Sequence, residues 1–235
     1  MKRKVRYATF LPVYIPLLVL FLCIAIGWSR GVTAVVVSAP ISQRKTVVID
    51  AGHGGVDGGA ISCTGKLESA FNLEISLRLN DLMHLLGINT IMIRTDDISV
   101  HTQGTTIAQK KVSDLRERAR IVNQQSNALL VSIHQNQFSD SRYSGAQVFY
   151  APTVGSDVVA KALQKSLIET VNPGSRRDAK EADSVYLMKN IKAPGILVEC
   201  GFLSNPQEEA KLRTADYQRK LCAVIAAGVS TYLFS

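Results

Sequence analysis

The sequence predicts one α/β domain, a three-layer sandwich in which helices flank a mostly parallel central sheet. Strand-like apolar runs alternate with longer runs of helical periodicity, which is the pattern of strands connected through helices. The 191 residues after position 44 are enough to bury a sizeable core. This part of the chain has three cysteines and no CxxC pair, so we expect neither a disulfide framework nor a structural zinc knuckle. Its stability must therefore come from the core.

Two kinds of local signal define the elements. Short apolar runs such as Val47-Val48-Ile49 predict strands, whereas apolar residues that recur every three or four positions predict helices. In chain order, the predicted elements are a strand at 46–50, a helix at 68–86, a strand at 88–94, a helix at 114–124, strands at 128–134 and 146–150, a helix at 157–170, an apolar stretch at 185–188, a strand at 195–199, and one or two closing helices.

Capping residues predict several helix boundaries. Gly87 follows the first helix and is expected to stop it. Ser113 can cap the helix that comes after it. Asn205, followed by Pro206 and two glutamates, has the order of a cap, a first-turn proline and acids that match the helix dipole. The segment 95–111 has no clear period and is expected to form a loop beside the site.

The amino-terminal part of the chain differs from the rest. Residues 10–28 form an uncharged run of 19 residues that follows four basic residues, and a helix needs roughly 20 residues to cross a bilayer. This pattern predicts a cytoplasmic end at 1–9, a transmembrane anchor at 10–28, a linker at 29–44 and a catalytic domain at 45–235 on the extracytoplasmic side. The alternative is a cleaved signal peptide, because Val37-Ser38-Ala39 is a weak cleavage motif, and the domain would then be secreted.

The net charge of +8 comes mostly from this amino-terminal part. Residues 1–44 contain six basic side chains and no acidic one, which leaves 21 basic groups against 19 acidic groups in the remainder. A nucleic-acid-binding protein needs a concentrated basic face. We therefore expect no nucleic-acid partner, and we expect the membrane to be the partner of the amino-terminal segment.

Two histidines and a glutamate stand where apolar strands stop. His53 follows the first strand, His134 closes the strand at 128–134, and Glu199 closes the last strand. In open α/β sheets, ligands bind at the carboxyl ends of the strands. Together with Glu68, at the start of the first helix, these residues supply the histidines and carboxylate of a catalytic zinc site and a further carboxylate that can move protons. This donor set indicates a metal hydrolase.

Helical geometry favours a role for Glu68 in the site. At about 100° per residue, Glu68 projects into the same stripe as Phe71 and Ile75, and a carboxylate on a buried face is costly unless it is paired. The alternative is that Glu68 only complements the helix dipole in the first turn. His84 falls on the opposite side of the helix, so we exclude it as a ligand.

The surroundings of His53 allow a second interpretation. Its glycine-rich turn could cradle a phosphate, but the GxGxxG spacing is absent and no Lys-Ser/Thr pair follows. Glycines would also let the backbone bend sharply and leave the imidazole open to a metal. In that case Asp50 or Asp57 could orient the ring.

The strand-end residues also have structural alternatives. His134 could be a core histidine whose hydrogen bonds are satisfied. Glu199 could belong to a buried ion pair, whereas an unpaired carboxylate there would have the raised pKa of a general base. Cys200 could suggest a thiol hydrolase, but strand alternation points its side chain away from that of Glu199.

Several ordered motifs resemble those of the zinc-dependent N-acetylmuramoyl-L-alanine amidases. From about Lys45 to the carboxyl end, they are Asp50-Ala51-Gly52-His53-Gly54-Gly55, Leu67-Glu68 with Asn72-Leu73, Asp114-Leu115-Arg116-Glu117-Arg118, Ser132-Ile133-His134-Gln135-Asn136 and Val198-Glu199-Cys200-Gly201-Phe202-Leu203-Ser204-Asn205. Ala51 stands where the family usually has proline, and Ser69 where lysine is common. Within this family, the sequence is most similar to the germination-specific members of endospore formers. The similarity rests on the short single-domain layout, the anchor, and the segments Tyr186-Leu187-Met188-Lys189-Asn190 and Lys192-Ala193-Pro194.

The resemblance implies a zinc ion held by His53, Glu68 and His134, with Glu199 as the catalytic carboxylate. The implied reaction is hydrolysis of the amide between N-acetylmuramic acid and L-alanine in peptidoglycan, so that muramic-δ-lactam can form in the spore cortex. The alternatives are a vegetative autolysin of the same family, a zinc peptidase acting on stem peptides, and a membrane-tethered binding module without activity. The sequence has no recognisable wall-binding repeats, so targeting would depend on the anchor or on an activator or targeting protein.

Overall fold

A computed structural model describes residues 45–234 of the chain. The predicted anchor, linker and cleavage motif lie outside these residues. Within the part that is described, no helix is both long enough and apolar enough to span a membrane.

The described part is organised around a six-stranded sheet. Its strands are β1 (Thr46–Ala51), β2 (Thr90–Met92), β3 (Ala128–Asn136), β4 (Gln147–Tyr150), β5 (Lys180–Glu181) and β6 (Gly195–Phe202). The spatial order is β2-β1-β3-β6-β4-β5, and every neighbouring pair is parallel except β4 and β6. The prediction of a mostly parallel sheet is confirmed. The carboxyl ends of β1, β3 and β6 consequently meet at one edge.

Helices cover both faces of this sheet. They are α1 (Glu68–Leu85), α2 (Ile107–Asn123), α3 (Ser156–Thr170), α4 (Tyr186–Asn190), α5 (Pro206–Leu212) and α6 (Ala215–Phe234). Val47 and Ile49 of β1 share a core with α1, α3 and α6, whereas Val48 packs in a second core with α2 and α4. The alternation of side chains along a strand thus separates two apolar layers, and the three-layer α/β prediction is confirmed.

The start of α2 differs from the prediction. The helix begins at Ile107 because Thr106, not Ser113, is its amino-terminal cap: Thr106 Oγ1 accepts the Gln109 N–H at 3.3 Å, and the Gln109 side chain accepts the Thr106 N–H at 3.2 Å. This reciprocal pair is a capping box. Ser113 Oγ instead accepts two backbone N–H groups of the preceding loop, both at 3.1 Å. The predicted loop at 95–111 is therefore shorter than expected.

Three other local features bear on the sequence predictions. The apolar stretch predicted at 185–188 leads into α4, whose Leu187 and Met188 are buried. β5 was not predicted, because both of its residues are exposed and give no apolar period. The cap at Asn205 is confirmed, since its side-chain oxygen accepts the N–H groups of Gln207 and Glu208 at 2.9 and 3.1 Å.

Candidate metal centre

The predicted site residues meet at the carboxyl edge of the sheet. His53 follows β1, Glu68 opens α1, and His134 lies in β3. Their candidate ligand atoms all lie within 4.8 Å of one another. Glu199 of β6 is the register partner of His134 on the neighbouring strand. Four side chains separated by up to 146 positions in the sequence are therefore neighbours in the fold.

The donor atoms suit a zinc ion in both chemistry and spacing. Glu68 Oε2 lies 3.2 Å from His53 Nε2, and Glu68 Oε1 lies 2.9 Å from His134 Nδ1. Zinc bonds to nitrogen and oxygen of about 2.0–2.2 Å in a tetrahedral arrangement place ligand atoms roughly 3.4 Å apart. Two imidazoles with one carboxylate are also a common ligand set for catalytic zinc. The residues present therefore fit this ion.

Glu68 is held as an anion by donors on several sides. It is 4% exposed, and it accepts hydrogen bonds from the N–H groups of Ala60 and Gln135 and from Asn72 Nδ2 at 3.0, 3.2 and 3.2 Å. Burial alone would raise its pKa, but the hydrogen bonds and charges of His134 and His53 outweigh burial and hold the pKa far below its ordinary value. This lowered pKa favours the ionised form of the Glu68 carboxylate at neutral pH.

Asp57 orients the His53 ring. Asp57 Oδ2 lies 2.9 Å from His53 Nδ1, which leaves Nε2 to face Glu68, and Lys111 Nζ donates to the other carboxylate oxygen at 2.7 Å. Burial lowers the pKa of His53, but Glu68 and Asp57 outweigh it and raise the pKa to about 9 in the protein without a cation. A histidine ligand that contacts a carboxylate through its second nitrogen is the usual arrangement around zinc.

Two buried arginines support the backbone before the metal centre. His53 has φ of +60°, a left-handed conformation that is unfavourable for a residue with a Cβ. Arg118 donates to the carbonyl oxygens of Ala51 at 3.0 Å and His53 at 2.7 Å. Arg94 donates to those of Ala51 at 2.7 Å and Gly52 at 3.0 Å. All three successive carbonyl groups are thereby fixed. These hydrogen bonds hold the turn in place and keep His53 in its unfavourable backbone conformation.

Glycine is required at two positions where the backbone lies against the side chain of a candidate metal ligand. A Cβ on Gly52 would lie 2.1 Å from His134 Nε2, and a Cβ on Gly59 would lie 2.6 Å from Glu68 Oε2. Gly59 also has φ of +68°. These glycines allow the chain to approach the ligand side chains closely.

A buried ion-pair network lies beneath the site. Arg118 bonds to both Asp50 and Asp114, and Ser132 Oγ donates to Asp50 at 2.6 Å. Burial raises the pKa of Asp50, but Arg118, His134 and Ser132 together outweigh burial and the pKa is lowered overall. Asp50 therefore pairs with Arg118, which supports the loop, whereas Asp57 contacts the imidazole ring of His53.

The sequence motifs contained these supporting residues, but their roles were not predicted. Asp114 and Arg118 stand one helical turn apart on the same side of α2, and both are buried. That pairing of opposite charges on a buried stripe was the available signal. Arg94 closes the predicted strand at 88–94, and its position as a basic residue at a strand end was the only hint.

Glu199 is in a different electrostatic state from Glu68. Its Oε2 is shielded from solvent and has no hydrogen-bond partner among residues 45–234. Burial raises its pKa, nearby His134 lowers it and Glu68 raises it, with a net value of about 7. No basic side chain in the same range forms an ion pair with Glu199. Such a carboxyl group can take up and release a proton near neutral pH.

Cys200 faces away from Glu199, as strand alternation predicted. Its side chain is completely buried in the core shared with α1, α3 and α6. Burial raises the pKa of this thiol well above its ordinary value, which disfavours the reactive thiolate form. His84 likewise lies outside the site, because its Nε2 contacts Thr90 Oγ1 at 2.7 Å.

A cleft of about 270 Å³ opens beside the candidate metal centre. Its lining includes His53, His134 and Glu199, and Lys111 and Val185 are also part of its wall. A reacting group in this cleft would be within reach of both the ligand cluster and the carboxyl group of Glu199.

Comparisons with known proteins found a matching family and several similar proteins. Residues 47–231 match the family described as N-acetylmuramoyl-L-alanine amidase. The germination-specific N-acetylmuramoyl-L-alanine amidase of Bacillus subtilis is 36% identical over 235 residues, covering 99% of this chain and 96% of that protein. The amidase LytC of the same organism is 30% identical over 191 residues, covering 80% of this chain and 35% of that protein. The solved CwlD amidase of Clostridioides difficile, in complex with the GerS lipoprotein, has 37% identity and a TM-score of 0.77, covering 81% of this chain and 98% of that chain.

Proposed function

The chain belongs to the N-acetylmuramoyl-L-alanine amidase family, and we propose that its His53, Glu68 and His134 hold a zinc ion while Glu199 moves the proton. The reaction is hydrolysis of the amide that joins the lactyl group of N-acetylmuramic acid to L-alanine in peptidoglycan. The observation that carries the site assignment is the convergence of three donor side chains within 4.8 Å, with Glu199 on the adjoining strand.

The chemistry divides between the cation and Glu199. A zinc ion bound to the three ligands would polarise the substrate and stabilise the negative charge that develops on the carbonyl oxygen. Glu199, as a carboxylate, accepts a proton from the water that attacks the carbonyl carbon. As a neutral acid it then gives that proton to the alanine nitrogen when the carbon–nitrogen bond breaks. Burial raises the pKa of Glu199 in the protein without a cation, and a raised pKa favours uptake of the proton in the first half of this transfer.

The other site residues keep the ligands in place. Asp57 fixes the ring of His53, so that Nε2 faces Glu68 and would be available to hold the cation. Glu68 stays ionised and contributes negative charge to the ligand set. Arg94 and Arg118 hold the turn that presents His53, which reduces the rearrangement that binding requires.

The match to the amidase family favours this reaction over the two main rivals. A zinc peptidase would cut within the stem peptide, and a membrane-tethered binding module would have no need of a proton carrier. Glu199 is retained in this chain with an unpaired oxygen beside the ligand cluster. That combination supports an active amidase.

The closer relatives support a role in spores. The Bacillus subtilis relative is described as germination-specific, and this chain matches 96% of its length. We place the substrate in the spore cortex, where removal of the peptide would permit formation of muramic-δ-lactam. A vegetative autolysin of the same family is the alternative. The match to the amidase LytC of the same organism covers only 35% of that protein.

We also propose the site of action and a partner. The apolar run at 10–28 would anchor the protein in a membrane with the catalytic domain on the extracytoplasmic side. Secretion after cleavage near 37–39 is the alternative. Since the CwlD amidase was solved with a lipoprotein, a lipoprotein at the same membrane is the kind of activator or targeting protein we expect.

Digestion of purified spore-cortex peptidoglycan by the full-length protein in detergent tests the proposed reaction. Mass spectrometry should show stem peptides that begin with free L-alanine, together with peptide-free lactyl-muramic acid. Chelation should abolish release, and added zinc should restore it. Products cut within the stem peptide would identify a peptidase instead, and full release after exhaustive chelation would contradict the metal site.

A further inference from the structure

A half-buried arginine lies one strand beyond Glu199. Gln147 of β4 is the register partner of Glu199 in the antiparallel pair. Directly opposed residues of such a pair point to the same face, with Cβ atoms about 5 Å apart. Gln147 Oε1 accepts a hydrogen bond from Arg177 Nη1 at 2.7 Å. Arg177 is therefore joined to the catalytic strand through a single side chain.

The guanidinium group of Arg177 is held in one orientation. Its Nε donates to the carbonyl oxygen of Ser144 at 3.0 Å, and its central carbon lies 4.8 Å from the centre of the Phe202 ring. Gln147 is fixed in turn, because its Nε2 donates to the carbonyl oxygen of Asp178 at 3.0 Å. The fork of N–H donors is consequently pre-organised, so little entropy is lost when it binds a ligand.

The charge of Arg177 is not balanced by an acidic side chain. Between residues 45 and 234, no carboxylate forms an ion pair with it, and its Nη2 has no hydrogen bond. The buried Arg118, in contrast, bonds to Asp50 and Asp114. Arg177 also lines a cavity of about 1140 Å³ whose rim includes the exposed Arg176 and Lys211. Neither of these two makes an ion pair within the described range. The lining also includes the acidic Glu208, whose two carboxylate oxygens accept the N–H groups of Gly145 and Phe202 at 2.9 Å each. Three cationic side chains without an ion pair therefore face this cavity.

We infer that Arg177 binds a carboxylate of the stem peptide during the amidase reaction. The inference rests on the proposed function, which places the scissile amide beside Glu199. An extended peptide advances about 3.3–3.6 Å per residue, so a carboxylate one or two residues past the scissile bond lies roughly 5–8 Å from it. The path from Glu199 to Arg177 covers a similar distance. It consists of one strand spacing of about 5 Å, from Glu199 to Gln147, and one hydrogen bond from Gln147 to Arg177. Guanidinium groups bind carboxylates through two parallel hydrogen bonds.

A pair of soluble substrates tests this subsite. The two muramoyl peptides are identical except that the carboxylate of the second stem residue is free in one and amidated in the other. The wild-type protein should hydrolyse the free acid with kcat/KM about 10- to 100-fold higher, because charge-assisted hydrogen bonds to Arg177 are lost with the amide. The Arg177→Gln variant should bring this ratio close to one, mainly through a higher KM for the free acid.

Three further variants separate recognition from folding. Arg219→Gln removes the same charge from α6, where Arg219 pairs with Asp216, and should keep the wild-type ratio. Arg177→Lys keeps the charge without the fork and should keep part of the preference. Gln147→Glu places an acid beside Arg177 and should abolish the preference while the arginine remains. The substrate ratio is internal to each variant, so a smaller folded fraction does not change it.

The outcomes distinguish the subsite from the reaction. An unchanged ratio in Arg177→Gln, or equal hydrolysis of both substrates by the wild-type protein, would overturn the role of Arg177. Failure of the wild-type protein to hydrolyse either substrate would contradict the proposed function instead. Calorimetric binding of the two substrates to the same proteins would then decide the subsite, with the same 10- to 100-fold ratio expected in Kd.

Discussion

Two glutamates at the same edge of the sheet have opposite surroundings. Glu68 accepts hydrogen bonds from Ala60, Gln135 and Asn72 and contacts both histidines, and its pKa is held far below the ordinary value. Glu199 has an oxygen without a partner among the described residues, and its pKa is about 7. Donors fix one carboxylate as a permanent anion, whereas burial leaves the other able to change its charge. The surroundings, rather than the residue type, separate a metal ligand from a proton carrier.

Removal of the titratable group from Glu199 should produce the largest effect on catalysis. In Glu199→Gln, the side chain keeps its shape but cannot accept a proton, so kcat should fall by about 10²- to 10⁴-fold. Metal content should not change, because the three ligands remain. Release of peptide from peptidoglycan measures the effect, and undiminished release would remove Glu199 from the mechanism.

The buried ion pairs of Arg118 with Asp50 and Asp114 should affect the stability of the fold rather than proton transfer. Asp50→Asn leaves buried Arg118 without one of its two carboxylate partners, which should cost about 3–5 kcal/mol in the free energy of unfolding at pH 7. Urea unfolding of both proteins measures the difference. A loss smaller than about 1 kcal/mol would show that Asp50 is not required to balance this arginine.

The difference in the free energy of unfolding between the wild-type protein and Asp50→Asn should depend on pH. The folded protein holds the pKa of Asp50 below 3.8, so the unfolded chain binds more protons in acid. The contribution of Asp50 is complete above its unfolded pKa and is lost as the pH falls through the folded pKa. The gap between wild type and Asp50→Asn should therefore narrow below about pH 4. A gap that widens in acid would contradict the sign of this shift.

Loss of the contact that orients the His53 ring should have a smaller effect, and this effect should be on zinc affinity. Asp57→Asn weakens the contact that directs Nε2 towards the ligand cluster, and zinc affinity should fall by about 10- to 100-fold. Competition with a fluorescent chelator measures the affinity. Asp97→Asn is a matched control, since Asp97 accepts the Gly55 N–H at 3.0 Å in the same loop without contacting the ring. Equal losses in both variants would indicate a general effect of charge.

Cys200→Ala should have the smallest effect and should separate the two faces of β6. The thiol is buried in the core on the far side of the strand from Glu199, so its removal should lower stability by about 1 kcal/mol. The kcat of the folded protein should stay within about twofold of wild type. Loss of activity comparable to that of Glu199→Gln would revive a thiol mechanism.

The sequence was most informative where a pattern is local. Apolar runs predicted β1, β3 and β6, and their carboxyl ends predicted where His53, His134 and Glu199 would lie. The start of α2 was missed because its first turns are exposed and lack an apolar period, although Thr106 and Gln109 carried the sequence of a capping box. The local signal at Thr106 and Gln109 is stronger than the one at Ser113, because two reciprocal hydrogen bonds form there.

The supports of the site could not be predicted from sequence in the same way. Arg94 and Arg118 contact carbonyl oxygens of residues 51–53, which lie more than 40 positions earlier in the chain. Such contacts depend on how the elements pack rather than on any periodicity. The missing hydrogen bond of Glu199 Oε2 and the unpaired charge of Arg177 depend on packing for the same reason, and only a three-dimensional structure can reveal either.

Zinc analysis of two variants purified side by side tests the contrast between the glutamates most directly. The wild-type protein and Glu199→Gln should each contain about one zinc ion per chain, as the three-ligand site requires. Glu68→Gln should contain almost none after the same dialysis, because it lacks the anionic ligand. Full zinc occupancy in Glu68→Gln, or loss of zinc from Glu199→Gln alone, would contradict the assignment of ligand and proton carrier.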